Sequence, residues 1–151
     1  HARGEVVVIQ DADLEYDPQD FQAMLNAMIQ HDAQVVYGSR ILKRDNPQGG
    51  LPFYMGGRLV TLATNILFGS ELTDEPTCYK MFRSKVLADM AIESDGFEWE
   101  PEITAKLLKK GIRIREVPIS YQPRSVTHGK KIKALDGLKA IWTLIKQRMR
   151  K

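Results

Sequence analysis

Residues 6–9 read Val-Val-Val-Ile and run directly into Gln10-Asp11-Ala12-Asp13-Leu14-Glu15. Four β-branched residues in succession fit a strand buried on both faces of a parallel sheet, where a half-exposed strand would alternate. Parallel strands need crossover connections, usually helical, and the chain supplies one at once. Residues 18–31 place Phe21, Met24, Leu25, Met28 and Ile29 on an i, i+3, i+4, i+7, i+8 stripe, and Gln34-Val-Val-Tyr-Gly38 follows as a second buried strand. This βαβ unit restricts the chain to the α/β class. It also puts the acids just past the carboxyl end of a strand, where open α/β sheets bind their ligands. Alternate residues of an extended segment share a face, so Asp11, Asp13 and Glu15 can converge on one hard divalent cation. Turn formation explains the same acids without a metal, and Asp17-Pro18 reads as an N-cap with proline at N1. A calcium EF-hand loop beginning at Asp11 is excluded, because Tyr16 stands where it needs glycine and Gln22 where it needs glutamate.

The chain has 151 residues, enough for a single domain over 1–151 with a real core. Its 43% hydrophobic and 27% charged residues are those of an ordinary globular protein. A single cysteine, Cys78, excludes an internal disulfide framework and suits a reducing compartment. No apolar stretch reaches membrane-spanning length, and no signal peptide is visible. The formal net charge is +3, with basic residues dense and acids few from Lys106 to Lys151, which points to an anionic partner for that end. There is no initiator methionine, and His1-Ala-Arg-Gly4 reads as the tail of a helix with Gly4 at its C-cap. The expectation is that earlier βα units precede this segment in the fold.

Further along, Ser39-Arg40 returns the chain to the ligand edge. Residues 43–57 are polar and rich in glycine and proline and are expected to form a mobile loop. A helix is expected over 58–68 through Leu59, Leu62, Ala63, Ile66 and Leu67, closed by Gly69. A turn at Thr73-Asp74-Glu75-Pro76 leads to residues 78–83, an edge or antiparallel strand, with Ser84 as cap of a short helix. Residues 96–102 open another helix, with Pro101 at N1, acids at its positive end and Gly111 at its stop. Residues 112–121 alternate as a half-exposed strand. An amphipathic basic helix over 132–151 uses Leu135, Leu138, Trp142, Ile145 and Met149. His31 and His128 have no spacing suited to metal or triad chemistry.

The ordered set Asp11-Ala-Asp13, Tyr37-Gly-Ser-Arg40, Thr73-Asp74 with Cys78-Tyr-Lys80, Gly96-Phe97 with Glu98 and Glu100, then Arg124 with Gly129-Lys-Lys-Ile132 resembles family 2 glycosyltransferases. Within that family it is most similar to the dolichyl-phosphate mannose synthase and polyprenyl-phosphate glycosyltransferase branch. The resemblance covers essentially the whole chain and implies an α/β GT-A fold whose N-terminal nucleotide-binding units are missing. It implies that Asp11, Asp13 and Glu15 hold Mg²⁺ or Mn²⁺, and that Arg40 and Arg58 meet phosphates, for which planar bidentate donors are suited. Asp74 and Glu98 are then the catalytic carboxylates, Glu100 contacts sugar, and Arg124, Lys130 and Lys131 orient the acceptor. Relatives carry Arg, a short spacer and Gly-x-Ser-Lys where this chain has Thr127-His-Gly129-Lys-Lys-Ile, which leaves the register of Arg124 against the lysines open.

The implied reaction is inverting transfer of a sugar from a GDP- or UDP-sugar to a polyprenyl phosphate at the cytoplasmic face of the membrane, with peripheral membrane contact. An anionic lipid phosphate needs no general base, whereas a sugar or protein hydroxyl would need a carboxylate. A saccharide acceptor, or a fragment acting only as a metal- or membrane-binding module, are the rival readings. Nucleic acid is not an expected partner, because the basic residues lack an aromatic stacking platform or a recognition helix.

Overall fold

A computed structural model describes residues 3–12, 14–47, 50–88, 90–124 and 134–150. The order of elements is β1 (Val6–Val8), α1 (Asp20–Gln30), β2 (Val35–Ser39), α2 (Leu51–Phe68), β3 (Lys80–Arg83), α3 (Ser84–Ala88), α4 (Trp99–Lys109), β4 (Ile114–Pro118) and α5 (Ala134–Met149). The four strands form one mixed sheet in the order β1-β3-β2-β4. β2 and β4 pair in parallel from Val35 opposite Ile114 to Ser39 opposite Pro118, while β3 runs antiparallel to both β1 and β2. The strands of the expected βαβ unit therefore point the same way but are not neighbours. The 78–83 strand is antiparallel, as one expectation had it, but it lies inside the sheet and not at its edge.

The core lies on both faces of the sheet. On one, Met24, Met28, Val36, Tyr79, Met81 and Ile119 pack together; on the other, Val35, Tyr37 and Phe82 meet Ile103 and Leu107 of α4. A third cluster joins Val60 of α2, Ala105 of α4 and Leu144 of α5. Gly38 is required by close packing, since a Cβ there would stand 2.7 Å from Ile119 Cγ2 and 3.1 Å from Tyr79 Cβ. The chain leaving β4 can thus lie tightly against the end of β2.

Several local expectations are corrected. α2 begins at Leu51, within the segment expected to be a loop, with Pro52 in its first turn where a missing N–H costs nothing. Gly56-Gly57 does not break it, and Gly57 lies against the Pro76 ring, 3.5 Å from where its Cβ would be. The inner face of α2 is Val60, Thr61 and Thr64, whereas Leu59, Leu62 and Ile66 are exposed. Likewise α5 buries Leu144 and exposes Leu135, Leu138, Trp142 and Met149. Ile29 is exposed although it shares the α1 stripe. Asp17 caps the turn before α1, accepting from the Gln19 N–H at 2.9 Å, and the helix starts at Asp20. Ser84 is the first residue of α3, and its hydroxyl donates to the Gly4 carbonyl instead of capping. Pro101 is the third residue of α4, not the first.

Candidate active site

The carboxyl ends of β1, β2 and β4 open on a cavity of about 930 Å³, closed at the sides by the N-terminal half of α2, the start of α4 and the first turns of α5. Its lining includes Asp11, Arg40, Arg58, Asp74, Glu100 and Arg124. With Glu15, which also lines it, seven of the expected site residues are therefore brought to one cavity by segments far apart in sequence. Glu98 is not among the lining residues. It precedes α4 and pairs with Lys139 of α5 at 3.8 Å, so the carboxylate of this segment that reaches the cavity is Glu100.

Arg40 and Asp74 form the best-defined pair in the site. Arg40 Nε and Nη2 donate to the two Asp74 oxygens, each at 2.7 Å, and the Arg40 backbone N–H adds a bond of 2.9 Å. Nη2 also donates to the Pro76 carbonyl, and the guanidinium stacks over the Tyr121 ring at 5.2 Å. Burial by itself would raise the Asp74 pKa, but the guanidinium outweighs it and holds the carboxyl below its usual range. The donors expected to meet phosphate thus hold Asp74 at the cavity wall. Arg58, exposed on α2, donates to the Thr73 carbonyl at 2.9 Å.

Beneath this pair lies a buried charge cluster whose roles the sequence did not reveal. Lys80 is fully enclosed, donating to the Glu75 carbonyl at 2.8 Å and the Thr77 carbonyl at 2.5 Å. Its ammonium faces the Tyr37 ring at 4.6 Å and lies 3.8 Å from Glu100. Glu75 is also fully enclosed, and neither of its carboxylate oxygens has a well-formed hydrogen bond among the described residues. Burial raises its pKa, with Lys80 and the nearby Thr104 hydroxyl opposing. Burial also pushes Glu100 up to about 7, against the pull of Lys80. Glu116 of β4 holds the loop in place, accepting from the Thr73 and Asp74 N–H groups at 2.7 and 3.0 Å. Its strand alternation was legible, but its partners are more than forty residues away in sequence. Cys78 packs, with Sγ 3.9 Å from Glu100, and burial raises its thiol pKa.

In the acidic loop, Asp11 reaches the cavity wall. Glu15 is buried with both oxygens engaged, Oε1 by the Arg124 N–H at 2.9 Å and Nε at 3.2 Å, Oε2 by the Tyr121 hydroxyl at 3.2 Å. Asp13, Lys130, Lys131 and His128 lie outside the described residues. Among the described residues no group of three His, Cys, Asp or Glu side chains is arranged to hold a metal. A carboxylate on an open cavity with few protein ligands is nevertheless the donor chemistry that suits a hard cation shared with phosphate oxygens.

Residues 1–90 match the family model described as Glycosyl transferase family 2. The chain belongs to that family. Its relatives include the Low-salt glycan biosynthesis hexosyltransferase Agl6 of Haloferax volcanii, 29% identical over 81% of this chain and 30% of that protein. The Undecaprenyl-phosphate mannosyltransferase of Micrococcus luteus is 30% identical over 83% of this chain and 53% of the other. This family 2 chain thus spans about a third to a half of the length of these relatives. Its fold is similar to that of glucosyl-3-phosphoglycerate synthase from Mycobacterium tuberculosis, a GT-A enzyme solved with Mn²⁺, UDP-glucose and phosphoglyceric acid. The TM-score is 0.69 at 16% identity, over 97% of this chain and 50% of that one.

Proposed function

We propose that the whole protein is a metal-dependent, inverting glycosyltransferase that moves a sugar from a nucleotide sugar to a polyprenyl phosphate. The observation that carries this reading is the convergence of Asp11, Arg40–Asp74, Arg58 and Arg124 on one cavity at the carboxyl edge of the sheet. The mannosyltransferase relative named for undecaprenyl phosphate supports the lipid acceptor, and the neighbour holding Mn²⁺ and UDP-glucose supports a divalent metal and a nucleotide sugar. In the reaction an acceptor oxygen attacks the anomeric carbon, the bond from that carbon to the diphosphate breaks, and the electron pair leaves with the nucleoside diphosphate. Asp11 and Asp13 would hold the Mg²⁺ or Mn²⁺ ion, which when bound neutralises charge on the departing diphosphate. Arg124, with Lys130 and Lys131, orients the acceptor phosphate, and Arg58 stands at the rim for the donor. Asp74, fixed by Arg40, faces the sugar.

No helix among the described residues is long and apolar enough to cross a membrane. The exposed apolar residues of α2 and α5, Leu59, Leu62 and Ile66 with Leu138 and Trp142, support peripheral contact with the cytoplasmic membrane face. These two helices also wall the cavity, which would bring its mouth close to a lipid headgroup.

One observation favours a hydroxyl acceptor instead. Glu100 lines the cavity with a pKa near neutrality, the property a general base needs. The test uses the full-length protein with radiolabelled sugar nucleotide and Mn²⁺, offered either polyprenyl phosphate or water-soluble saccharides. Label entering the organic phase is the expected result. Label passing only to saccharides supports the second reading, and transfer unaffected by Asp13→Ala overturns the metal-dependent assignment.

A further inference from the structure

The resemblance to the family gives Glu15 a place among the metal ligands, but the geometry of this chain gives it other work. Leu14 adopts φ +60°, in the left-handed region that a leucine rarely occupies, and its side chain is 92% exposed. A left-handed residue directly before Glu15 departs from the extended backbone that strict alternation requires. Glu15 lines the same cavity as Asp11, but it is only 8% exposed and its carboxylate meets a segment more than a hundred residues downstream. Its Oε1 accepts from the Arg124 N–H and Nε, its Oε2 from the Tyr121 hydroxyl, and its backbone carbonyl from the Gln122 N–H at 2.8 Å. Tyr16 and Tyr121 add an isolated antiparallel bridge, with ring centroids 5.5 Å apart. A cation seated on Glu15 would compete with these donors and stand beside the positive Arg124 guanidinium, which is 3.2 Å from Oε1.

We propose that Glu15 is a positioning residue that clasps the Arg124 segment to the acidic loop and does not ligate the metal. The loop that carries Asp11 and the segment that carries Arg124 then form one unit, and the Arg124 guanidinium is held at the cavity wall. The inference rests on the acidic loop being the metal end of the site, and its test separates the two ideas.

Mn²⁺ binding to the full-length protein, followed by loss of the free-ion electron paramagnetic resonance signal, is measured for the parent, Asp11→Asn, Glu15→Ala and Glu15→Gln. Hydrogen exchange of individual amides is measured on the same samples. Asp11→Asn is expected to weaken Mn²⁺ by about tenfold or more, while both Glu15 variants stay within about twofold of the parent. In Glu15→Ala the Arg124 amide is expected to exchange about tenfold faster, having lost its acceptor. The Val36 amide at the centre of β2 should be unchanged, which shows that the fold is kept. Glu15→Gln, which retains an acceptor oxygen without the charge, should fall between. A tenfold loss of Mn²⁺ affinity in either Glu15 variant overturns the proposal, as does unchanged exchange at Arg124. A parent protein that binds no Mn²⁺ counts against the metal-dependent function, and the exchange arm alone then decides the clasp.

Discussion

The two ligand-edge segments, the acidic loop after β1 and the Thr73–Thr77 loop before β3, both present an aspartate to the same cavity but are built on opposite principles. Asp74 sits in a lattice of its own making, with both oxygens bonded to Arg40, the backbone behind it bonded to Glu116, and Lys80 tied to the carbonyls of Glu75 and Thr77. Adjacent carboxylates there are driven apart, Asp74 held down by its guanidinium and Glu75 pushed up by burial. Among the described residues the acidic loop is tied by Glu15 to Arg124 and Tyr121, by Gln10 to the Tyr79 hydroxyl, and at Asp11 by the Cys78 thiol. The lesson is that Asp74 is pre-organised by an internal ion pair, whereas Asp11 is held against the Cys78 thiol without a basic partner among the described residues.

That contrast is broken most directly at Asp74. Asp74→Ala leaves the half-buried Arg40 guanidinium without its counter-ion and should cost about 3 kcal/mol of stability in urea unfolding. A loss below about 1 kcal/mol would mean that the pair is not the anchor described here. Next in size, Gly38→Ala drives a methyl into Ile119 and should cost about 1–3 kcal/mol. It should also displace the Ile119–Tyr121 segment that carries the clasp, visible as faster exchange at Tyr121.

Glu100 sharpens the comparison through pH. Its folded pKa of about 7 lies above the ordinary 4.5, so between these values the unfolded chain ionises while the folded one holds its proton. Stability associated with this group is present below pH 4.5 and is lost as pH rises through 7. Glu100→Gln mimics the protonated form and should therefore be more stable than the parent at pH 8, by about 1–2 kcal/mol, and nearly equal to it at pH 4. Parallel unfolding curves at the two pH values check this, and an unchanged difference between them removes Glu100 as the buried titrating group. The smallest effect on stability belongs to Asp11. Asp11→Asn should shift unfolding by less than about 0.5 kcal/mol, since asparagine keeps an oxygen to meet the Cys78 thiol and no basic side chain among the described residues loses a partner. A large destabilisation there would erase the distinction between the two loops.

Much of the frame was legible because it depends on local periodicity. The apolar runs at 6–9 and 34–38 and the Phe21–Met28 stripe declared strands and a helix by their own spacing, although Val6–Val8 is a half-buried edge strand paired antiparallel to β3 and not the buried strand of a parallel sheet that was expected. Local rules failed where a distant partner decides. Gly56-Gly57 looked like a break, yet α2 runs through it and packs Gly57 against Pro76. The apolar stripes of α2 and α5 looked like core faces, but smaller inner faces were chosen by helix-to-helix packing around Leu144. Glu98 and Glu100 are indistinguishable in sequence, and only the placement of α4 against α5 turns one to Lys139 and the other to the cavity.

The sequence by itself determined an α/β chain with carboxylates just past the carboxyl end of a strand, because strand and helix periods and turn chemistry act over a few residues. Only the tertiary structure decided that Arg40 grips Asp74 and that Glu15 grips Arg124. Those choices pair charges 34 and 109 residues apart, and the energy of a buried charge depends on which partner the folded chain brings beside it.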